Sequence, residues 1–469
     1  MLTTHPDLEL VEYIVEWMIR LGALAVVPMR RSPAATASWL LLIFFLPIPG
    51  LILYLFIGRP KFPAAREQRW RALHPFFNEV ADRLEKAAGR EAGEVERFAR
   101  TLGRMPSAGG NQVDLIDDYD AVIDRLVADV DAARISVDLL VYIFADDQVG
   151  CRVAHALGQA VRRGVACRVM FDPLGSHAWR RGTWRILEQA GVEVREALPV
   201  RLIRRRSRAD MRNHRKLWVI DGAIGYAGSQ NIVAKDFRPG VVNRELVARV
   251  TGPAVASMAA IVAGDWAIEG PEDPPAPSPI AIADPQGSQF VQLLPSGADY
   301  ALQGFETLLI WQLHQATKRV VLVSPYFVPD EGVLGAMRSA VARGVVVDLV
   351  VSKVVDQWIV HLAQCSYFDE LLAAGIRIHQ YRDFLLHAKN VSIDGRLGVV
   401  GSSNVDLRSF QLNEEASLLL YDEAAIARLD EIQAGYLAAS DRVEIDAWSA
   451  RPRLKRLPQN IARIMSPLL

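Results

Sequence analysis

One arrangement of residues occurs twice in this chain and constrains its fold more than any other feature. The pattern H-x-K-x-x-x-x-D is followed in each copy by G-S-x-N, with the same spacing both times. A single copy is usually an ordinary strand and turn, but two matching copies predict two related domains that build a shared site. The residues are His214, Lys216, Asp221, Gly228, Ser229 and Asn231, then His387, Lys389, Asp394, Gly401, Ser402 and Asn404.

Each copy predicts a β-hairpin. The segment after each motif lysine reads as a strand that ends at Asp-Gly, the dipeptide that favours a two-residue turn. With such a turn, His214 lies opposite Ser229 and His387 lies opposite Ser402. Side chains two residues apart share one face of a strand, so the polar groups of each copy gather on one face.

A cluster of imidazole, ammonium, hydroxyl and amide groups suits a tetrahedral phosphate. Such groups donate hydrogen bonds to phosphate oxygens, and an imidazole can attack phosphorus or transfer a proton. One copy is half a site, whereas two copies supply a nucleophile and an acid on opposite sides of phosphorus. Since no carboxylate cluster in the sequence points to a metal, we expect neither a metal nor another cofactor.

The regions around the motifs also repeat. Residues 156–172 align with residues 336–352, and both read as an amphipathic helix, a glycine stop and an apolar strand. Helices that alternate with strands predict an α/β fold. We therefore expect two tandem α/β domains, whose mixed β-sheets are flanked by helices and related by a pseudo-twofold axis.

Composition shifts divide the chain further. Proline is dense between residues 271 and 285, as in a linker. The predicted segments are an N-terminal membrane region at 1–58, a helical linker at 59–110, the first domain at 111–270, a proline-rich linker at 271–286, the second domain at 287–440 and a basic tail at 441–469.

The N-terminal region indicates a membrane location. Residues 34–57 carry no charge and are long enough to cross a hydrocarbon core, which takes about 20 apolar residues. A buried soluble helix is the alternative. Residues 8–27 are apolar with one charged stripe, which fits the membrane interface or a partner helix.

The interruption at residues 47–50 suggests how the apolar segment is arranged. Its sequence is Pro-Ile-Pro-Gly, which breaks a helix, and basic residues flank the whole segment on both sides. Positive flanks favour the cytoplasm, and a single crossing cannot place both flanks there. We therefore expect a re-entrant hairpin, with two spans as the alternative.

The overall charge and the cysteines exclude other classes. Lysine and arginine total 53 against 54 acidic residues, so net charge gives no argument for a nucleic-acid partner. Cys151, Cys167 and Cys365 are too few and too scattered for a disulfide framework or a zinc site. A reducing compartment is expected.

The duplicated motifs resemble the paired HKD signatures of the phospholipase D superfamily. Within it, the chain resembles the bacterial cardiolipin synthases essentially from end to end. The similarity lies in the leading apolar segment, PYFVP at 325–329, LLHAKNVSIDG at 385–395, GSSNVDLRSFQLNEE at 401–415 and the terminal SPLL. It departs at the N terminus, where that family usually has two clean transmembrane helices.

The resemblance implies a phosphatidyltransferase with two phospholipase D-like domains. One histidine would attack phosphatidylglycerol and release glycerol, and a second lipid would then take the phosphatidyl group to give cardiolipin. We assign His214 as the nucleophile and His387 as the general acid and then the base. The two would start in different protonation states, because an imidazole pKa lies near neutrality.

The resemblance also suggests supporting roles. Lys216, Lys389, Asn231 and Asn404 would hold phosphoryl oxygens, with Ser229 and Ser402 beside them. Glu245 and Glu414 resemble the carboxylates that orient the histidines, and Asp221 and Asp394 complete the catalytic motifs but read as turn residues. A basic run before the first motif would attract anionic headgroups and contains Arg204, Arg205, Arg206 and Arg208.

Several functions share these motifs. The same site could hydrolyse phospholipid, or could use phosphatidylethanolamine or another alcohol. A nuclease-like member of the superfamily and an inactive membrane scaffold are more distant alternatives. The expected partners are phosphatidylglycerol, cardiolipin and the bilayer, without nucleic acid. The expected location is the bacterial cytoplasmic (inner) membrane with the site facing the cytoplasm, and a homo-oligomer is left open.

Overall fold

The computed structural model describes residues 6–31, 33–58, 62–88, 90–199, 210–271, 277–300 and 302–465. Within these ranges, helices alone precede the first strand. They are α1 (Pro6–Val26), α2 (Pro33–Phe45), α3 (Pro47–Ile57), α4 (Ala64–Ala72), α5 (His74–Ala88) and α6 (Glu94–Gly103).

The rest of the chain alternates strands and helices in two halves. The first half contains β1 (Ser107–Ile116), α7 (Tyr119–Ala132), β2 (Ser136–Val141), α8 (Gln148–Arg162), β3 (Ala166–Phe171), α9 (Arg180–Gln189), β4 (Glu193–Glu196), β5 (Leu217–Ile220), β6 (Ile224–Gly228), β7 (Asn243–Arg244), β8 (Val247–Thr251) and α10 (Val255–Ile268).

The second half contains β9 (Gln289–Ser296), α11 (Gly304–Gln315), β10 (Arg319–Val323), β11 (Phe327–Val328), α12 (Glu331–Ala342), β12 (Val346–Ser352), α13 (Trp358–Ala373), β13 (Arg377–Tyr381), β14 (Leu385–Leu386), β15 (Asn390–Ile393), β16 (Leu397–Gly401), β17 (Val405–Asp406), α14 (Leu407–Gln411), β18 (Glu415–Leu420), α15 (Glu423–Ala438), β19 (Ser440–Arg442), α16 (Ile445–Ser449) and α17 (Arg453–Met465).

The repeated helices begin and end on equivalent signals. The Asp147 carboxylate accepts hydrogen bonds from the first backbone N–H groups of α8, and Asp330 caps α12 in the same way. Each helix is followed by a glycine with φ of +88°, at Gly164 and Gly344, which lets the chain turn into the next strand. The predicted repeat of residues 156–172 and 336–352 is therefore confirmed.

Fifteen of the described strands join into one mixed sheet. On one side of the pair β1–β9 the strands follow in the order β8, β6, β5, β2, β3, β4. On the other side, β18, β16, β15, β10, β12 and β13 repeat that order with the same parallel and antiparallel pairings, and β19 adds an edge. The predicted α/β fold with a pseudo-twofold relation is confirmed, and the two sheets are continuous.

The two halves share one apolar core. Val250 of β8 and Leu418 of β18 lie fully buried in the same cluster, and nine of the fourteen residues of α10 belong to it. Separating the halves would expose this surface to water, and burial of apolar area is the main force that stabilises a fold. The joint between the two halves is therefore a shared apolar core.

The predicted register of the motif hairpins is wrong by one residue. Ile220 pairs with Ile224 and Ile393 pairs with Leu397, so three residues form each loop instead of two. Asp and Gly both adopt positive φ in each loop, as the sequence signal demands, and a third residue completes the turn. Ser229 and Ser402 consequently do not lie directly opposite the histidines.

Asp221 and Asp394 fasten these loops to the neighbouring strands. The Asp221 carboxylate accepts hydrogen bonds from three successive backbone N–H groups at residues 134–136, and Asp394 does the same at residues 317–319. Burial raises the pKa of Asp394, but these hydrogen bonds outweigh it and lower the pKa to about 2. The two aspartates therefore hold the motif strands in place.

The N-terminal apolar segment folds back on itself. Helix α2 ends at Phe45 and α3 begins at Pro47, so the break expected from the prolines is present. The Trp39 and Tyr54 rings meet at 5.2 Å across the two helices. Where the chain returns, Arg31 Nε donates to the carbonyl oxygen of Gly58 at 2.7 Å. Both ends of the hairpin thus lie together.

None of the helices in the described ranges is long and apolar enough to cross a membrane. The segment predicted as an amphipathic helix at 8–27 corresponds to α1.

We expect Asp394→Ala to lower the free energy of unfolding by about 2 kcal/mol, because several backbone N–H groups lose their acceptor. Denaturant unfolding followed by circular dichroism measures this change. A carboxyl whose folded pKa is depressed stabilises above its unfolded pKa near 4, and that contribution disappears as pH falls toward 2.

The exposed Asp383 provides a control, since Asp383→Ala should change stability by less than about 0.5 kcal/mol. Equal losses in the two variants would contradict the role of Asp394.

Candidate active site

A cavity of about 340 Å³ lies where the two halves meet. Both motif histidines, His214 and His387, line it. Polar and charged side chains from both halves contribute to the lining, namely Tyr142, Arg212, Asn231, Arg238 and Asn243 from the first half and Tyr326, Gln357, Asn404, Asp406, Arg408 and Asn413 from the second. The structure thus brings both motifs to one site.

The backbone of each half positions the histidine of the other. The His214 N–H donates to the carbonyl oxygen of Glu414 at 2.8 Å, and the His387 N–H donates to that of Arg244 at 2.8 Å. Strand β14, just before His387, pairs with β7 of the first half. Each histidine therefore sits on a segment that is held across the joint.

Each histidine side chain also forms a hydrogen bond with a carboxylate of the other half. His214 Nδ1 lies 3.0 and 3.1 Å from the two carboxylate oxygens of Glu415, and His387 Nδ1 lies 2.7 Å from Glu245 Oε1. Both carboxylates are buried. With Nδ1–H donated to a carboxylate, Nε2 of each imidazole keeps a free lone pair, as a nucleophile or base requires.

Burial favours the neutral form of both histidines. Burial lowers the pKa of each to about 4, the paired carboxylate opposes that change, and the nearby lysine strengthens it. Both pKa values shift in the same direction, and the expected difference in protonation state between the two imidazoles stays a prediction. The charge of an anionic ligand would favour the imidazolium form.

The motif lysines lie beneath the histidines. Lys216 Nζ donates to the carbonyl oxygen of His214 at 2.7 Å, and Lys389 Nζ donates to that of His387. Burial lowers the pKa of Lys216 to about 7 and that of Lys389 to about 8. Neither lysine is among the residues that line the cavity, and both act on the histidines through their charge.

The motif asparagines reach the cavity. Asn231 Oδ1 accepts from the Ile143 N–H at 3.0 Å, which leaves its amide hydrogens for a ligand. Asn404 Oδ1 is buried without a hydrogen-bond partner among the described residues. Both side chains therefore retain hydrogen-bonding capacity at the cavity wall.

The comparisons with known proteins agree with this geometry. The family model described as cardiolipin synthase, PLD-like domain, matches residues 126–266 and 309–434, and the model described as phospholipase D-nuclease N-terminal matches residues 20–59. The cardiolipin synthase A proteins of Salmonella arizonae and Salmonella paratyphi B are each 34% identical to this chain over 480 residues, which cover 97% of this chain and 99% of the relative. The chain belongs to the cardiolipin synthase family.

Solved structures extend the comparison to the fold. The phosphatidylserine synthase of Haemophilus influenzae Rd KW20 has a TM-score of 0.57 at 12% identity and covers 81% of this chain and 100% of its own. The polyphosphate kinase of Porphyromonas gingivalis has a TM-score of 0.51 at 14% identity, over 80% of this chain and 55% of its own. At these identities the likeness shows a shared fold alone.

Cardiolipin synthases are a membrane-associated family.

The prediction that Glu414 orients a histidine is wrong. Its carboxylate accepts hydrogen bonds from the Arg215 guanidinium at 2.5 Å and from the Asp299 N–H at 3.0 Å. Adjacent side chains of an extended segment point in opposite directions, so Glu415 takes the place beside His214. In both copies the orienting carboxylate follows an asparagine by two residues, and that spacing identifies Glu415.

The motif serines support these carboxylates and do not line the cavity. Ser402 Oγ donates to Glu415 Oε2 at 2.5 Å. Ser229 Oγ exchanges hydrogen bonds with the backbone of Leu246 and helps to lower the pKa of Glu245, which burial alone would raise. Ser402 therefore steadies Glu415 directly, whereas Ser229 steadies the backbone next to Glu245.

The sequence prediction missed several cavity residues. The Tyr142 ring lies 4.8 Å from the His214 ring, and the Tyr326 ring lies 6.1 Å from the His387 ring, between centroids. Arg212, Arg238 and Arg408 add cationic groups to the wall. Tyr326 and Arg408 stand in the segments that carry the family resemblance, but only the fold places them beside the histidines.

Other predicted residues lie elsewhere. Asp221 and Asp394 are not among the residues that line the cavity. Arg204, Arg205, Arg206 and Arg208 lie outside the described residues. In the ranges that the structure describes, no group of three or more His, Cys, Asp and Glu residues is arranged to hold a metal ion.

We expect Glu415→Gln to lower the turnover of phospholipid by about 10² to 10⁴-fold, because an amide no longer enforces the imidazole tautomer that leaves Nε2 free. Turnover is measured on the purified protein in lipid–detergent micelles. The adjacent Glu414→Gln is the matched control, and it should affect thermal stability more than turnover. Equal losses of turnover in the two variants would contradict the assignment of Glu415.

The affinity of the empty cavity for an anion should fall between about pH 7 and pH 9. Lysine is charged below its pKa, so Lys216 and Lys389 lose their protons as pH rises through about 7 and 8. Sulfate keeps its charge over this range, and its dissociation constant can be followed by calorimetry. Lys389→Met should remove the upper part of the decline, and a pH-independent affinity in the native protein would refute the argument.

Proposed function

We propose that this protein synthesises cardiolipin by moving a phosphatidyl group from one phosphatidylglycerol to another, with release of glycerol. One observation carries the proposal. Two histidines, each hydrogen-bonded through Nδ1 to a buried carboxylate of the opposite half, share a cavity whose wall also carries three arginines and Asp406. Family membership supports phospholipids as the substrates.

The first step forms a covalent intermediate. His214 Nε2 attacks phosphorus, and the bond between phosphorus and the headgroup glycerol oxygen breaks. His387 donates a proton to that oxygen, so glycerol leaves and the phosphatidyl group stays on His214. Glu415 stabilises the positive charge that develops on the His214 ring, as the carboxylate does in other histidine-based sites.

The proton on His387 arrives with the substrate. Burial, and after it the charges of Lys216 and Lys389, lower the pKa of both histidines. A phosphodiester carries one negative charge, which opposes the effect of the two ammonium groups. Substrate binding therefore raises the pKa of His387 and prepares it as the acid.

The second step reverses the first with a new alcohol. The free hydroxyl of a second phosphatidylglycerol loses its proton to His387 and attacks phosphorus. The bond between phosphorus and His214 breaks, cardiolipin leaves as the new phosphodiester, and His387 keeps the proton that it took from the hydroxyl. Both histidines are then ready for the next cycle.

The cavity suits a headgroup. Its volume of about 340 Å³ is in the range of small-molecule sites, so it holds the polar part of a lipid while the acyl chains stay outside. Donors from Lys216, Lys389, Asn231 and Asn404 would stabilise the additional charge of the transition state. Exclusion of water by the buried walls favours the lipid hydroxyl over hydrolysis.

We further propose that the protein works at the bacterial cytoplasmic (inner) membrane with its cavity on the cytoplasmic side. Basic residues flank the N-terminal helical hairpin at both ends, and those ends lie together through Arg31 and Gly58. The free thiols of Cys151, Cys167 and Cys365 are consistent with a reducing compartment. Phosphatidylglycerol, cardiolipin and the bilayer are the proposed partners, nucleic acid is not, and a homo-oligomer stays a prediction.

The product assay tests this function. The detergent-purified protein is incubated with phosphatidylglycerol alone, without added metal, and the lipids are analysed by mass spectrometry. We expect cardiolipin and glycerol from the native protein, and at least about 10³-fold less from His214→Ala and His387→Ala. Intact-protein mass spectrometry of His387→Ala should show the phosphatidyl adduct on His214.

Other products would revise the proposal. Phosphatidic acid alone would make the protein a hydrolase of the phospholipase D type. Cardiolipin formed only when phosphatidylethanolamine is added would change the donor or acceptor. An adduct on His387 in His214→Ala, and none in His387→Ala, would exchange the two histidine roles.

A further inference from the structure

The C-terminal helix α17 exposes its apolar residues. Leu454 is 83% exposed, Leu457 59%, Ile461 52% and Ile464 53%. Their spacings of three, four and three residues place them along one stripe of the helix. A helix on the surface of a soluble domain normally turns such a stripe toward the core.

The opposite, polar side of α17 packs on the protein. Gln459 is buried beneath the helix, and Arg463 donates to Glu370 at 3.0 Å and stacks over the Tyr367 ring at 4.4 Å. Tyr367 and Glu370 belong to α13, so these contacts fix which side of α17 faces that helix. The amphipathic helix is therefore inverted, and its apolar stripe has no partner among the described residues.

The stripe continues into the N-terminal hairpin. Ser38 Oγ in α2 donates to the carbonyl oxygen of Ile464 at 2.9 Å, so the end of α17 touches that helix. One and two turns further along α2, Leu41 is 46% exposed and Phe45 is 80% exposed. Two segments from opposite ends of the chain thus form one apolar surface.

The charge around α17 fits an anionic surface. Residues 447–465 contain five basic residues and no acidic residue, and two of the five, Arg451 and Arg463, pair with Asp369 and Glu370 of α13. An apolar stripe beside cationic side chains is typical of helices that lie in the interfacial region of a membrane, where acyl chains meet anionic headgroups.

We propose that α17 is a membrane-docking helix that lies in the plane of a bilayer containing anionic phospholipid. It would act with the N-terminal hairpin, so that the protein is held at both ends of its chain. This placement concerns where the protein meets lipid, and it does not depend on which reaction the active site performs.

Site-directed fluorescence tests the placement. In a Cys151→Ser background, an environment-sensitive fluorophore is attached at Leu457→Cys, or at Ile461→Cys as a second position on the stripe. Exposed Glu188 of α9, in Glu188→Cys, is the control. The full-length proteins are added to vesicles of phosphatidylcholine with phosphatidylserine, and their thermal unfolding is compared first to establish that they are folded.

We expect a blue shift at the stripe positions, and quenching by spin-labelled lipid about threefold stronger than at residue 188. The shift should weaken in vesicles of phosphatidylcholine alone, because the basic residues then lack anionic headgroups. Quenching equal to that of the control at both stripe positions would overturn the proposal. A blue shift that rises with protein concentration without lipid quenching would assign the stripe to a second copy of the chain instead.

Discussion

The exchange of carboxylates across the joint is the interaction on which the active site depends. Glu415 of the second half holds His214 of the first, and Glu245 of the first half holds His387 of the second. Neither half contains a complete pairing of imidazole and carboxylate. The continuous sheet through β1 and β9, and the apolar core beneath it, fix the halves so that these hydrogen bonds can form.

The same exchange sets the electrostatics of the cavity. Two buried carboxylates, two buried lysines and two neutral imidazoles lie close together, with arginines at the wall. The lysines have pKa values close to neutrality and the histidines have values well below it, because burial disfavours their charged forms. The negative charge of a phosphodiester substrate would raise the pKa values of these lysines and histidines and favour their protonated forms.

Much of this arrangement could be predicted from the sequence, because duplicated motifs report on local structure. The two strand–loop–strand units, the repeated helices and the presence of both histidines in one site follow from spacing. The exact loop length did not, since Asp-Gly permits both two-residue and three-residue loops. The choice between Glu414 and Glu415 also failed, because it depends on which side of an extended segment faces the other half. The tyrosines beside the histidines required the fold.

The distances along the chain between the paired residues have a consequence for synthesis. His214 and Glu415 are 201 residues apart, and His387 and Glu245 are 142 apart. Domains begin to fold while a chain is still emerging from the ribosome. The first motif can therefore form its hairpin long before its carboxylate exists. Until Glu415 has been synthesised, the nascent chain lacks the carboxylate that orients His214, so the active site is completed only after both halves have been made.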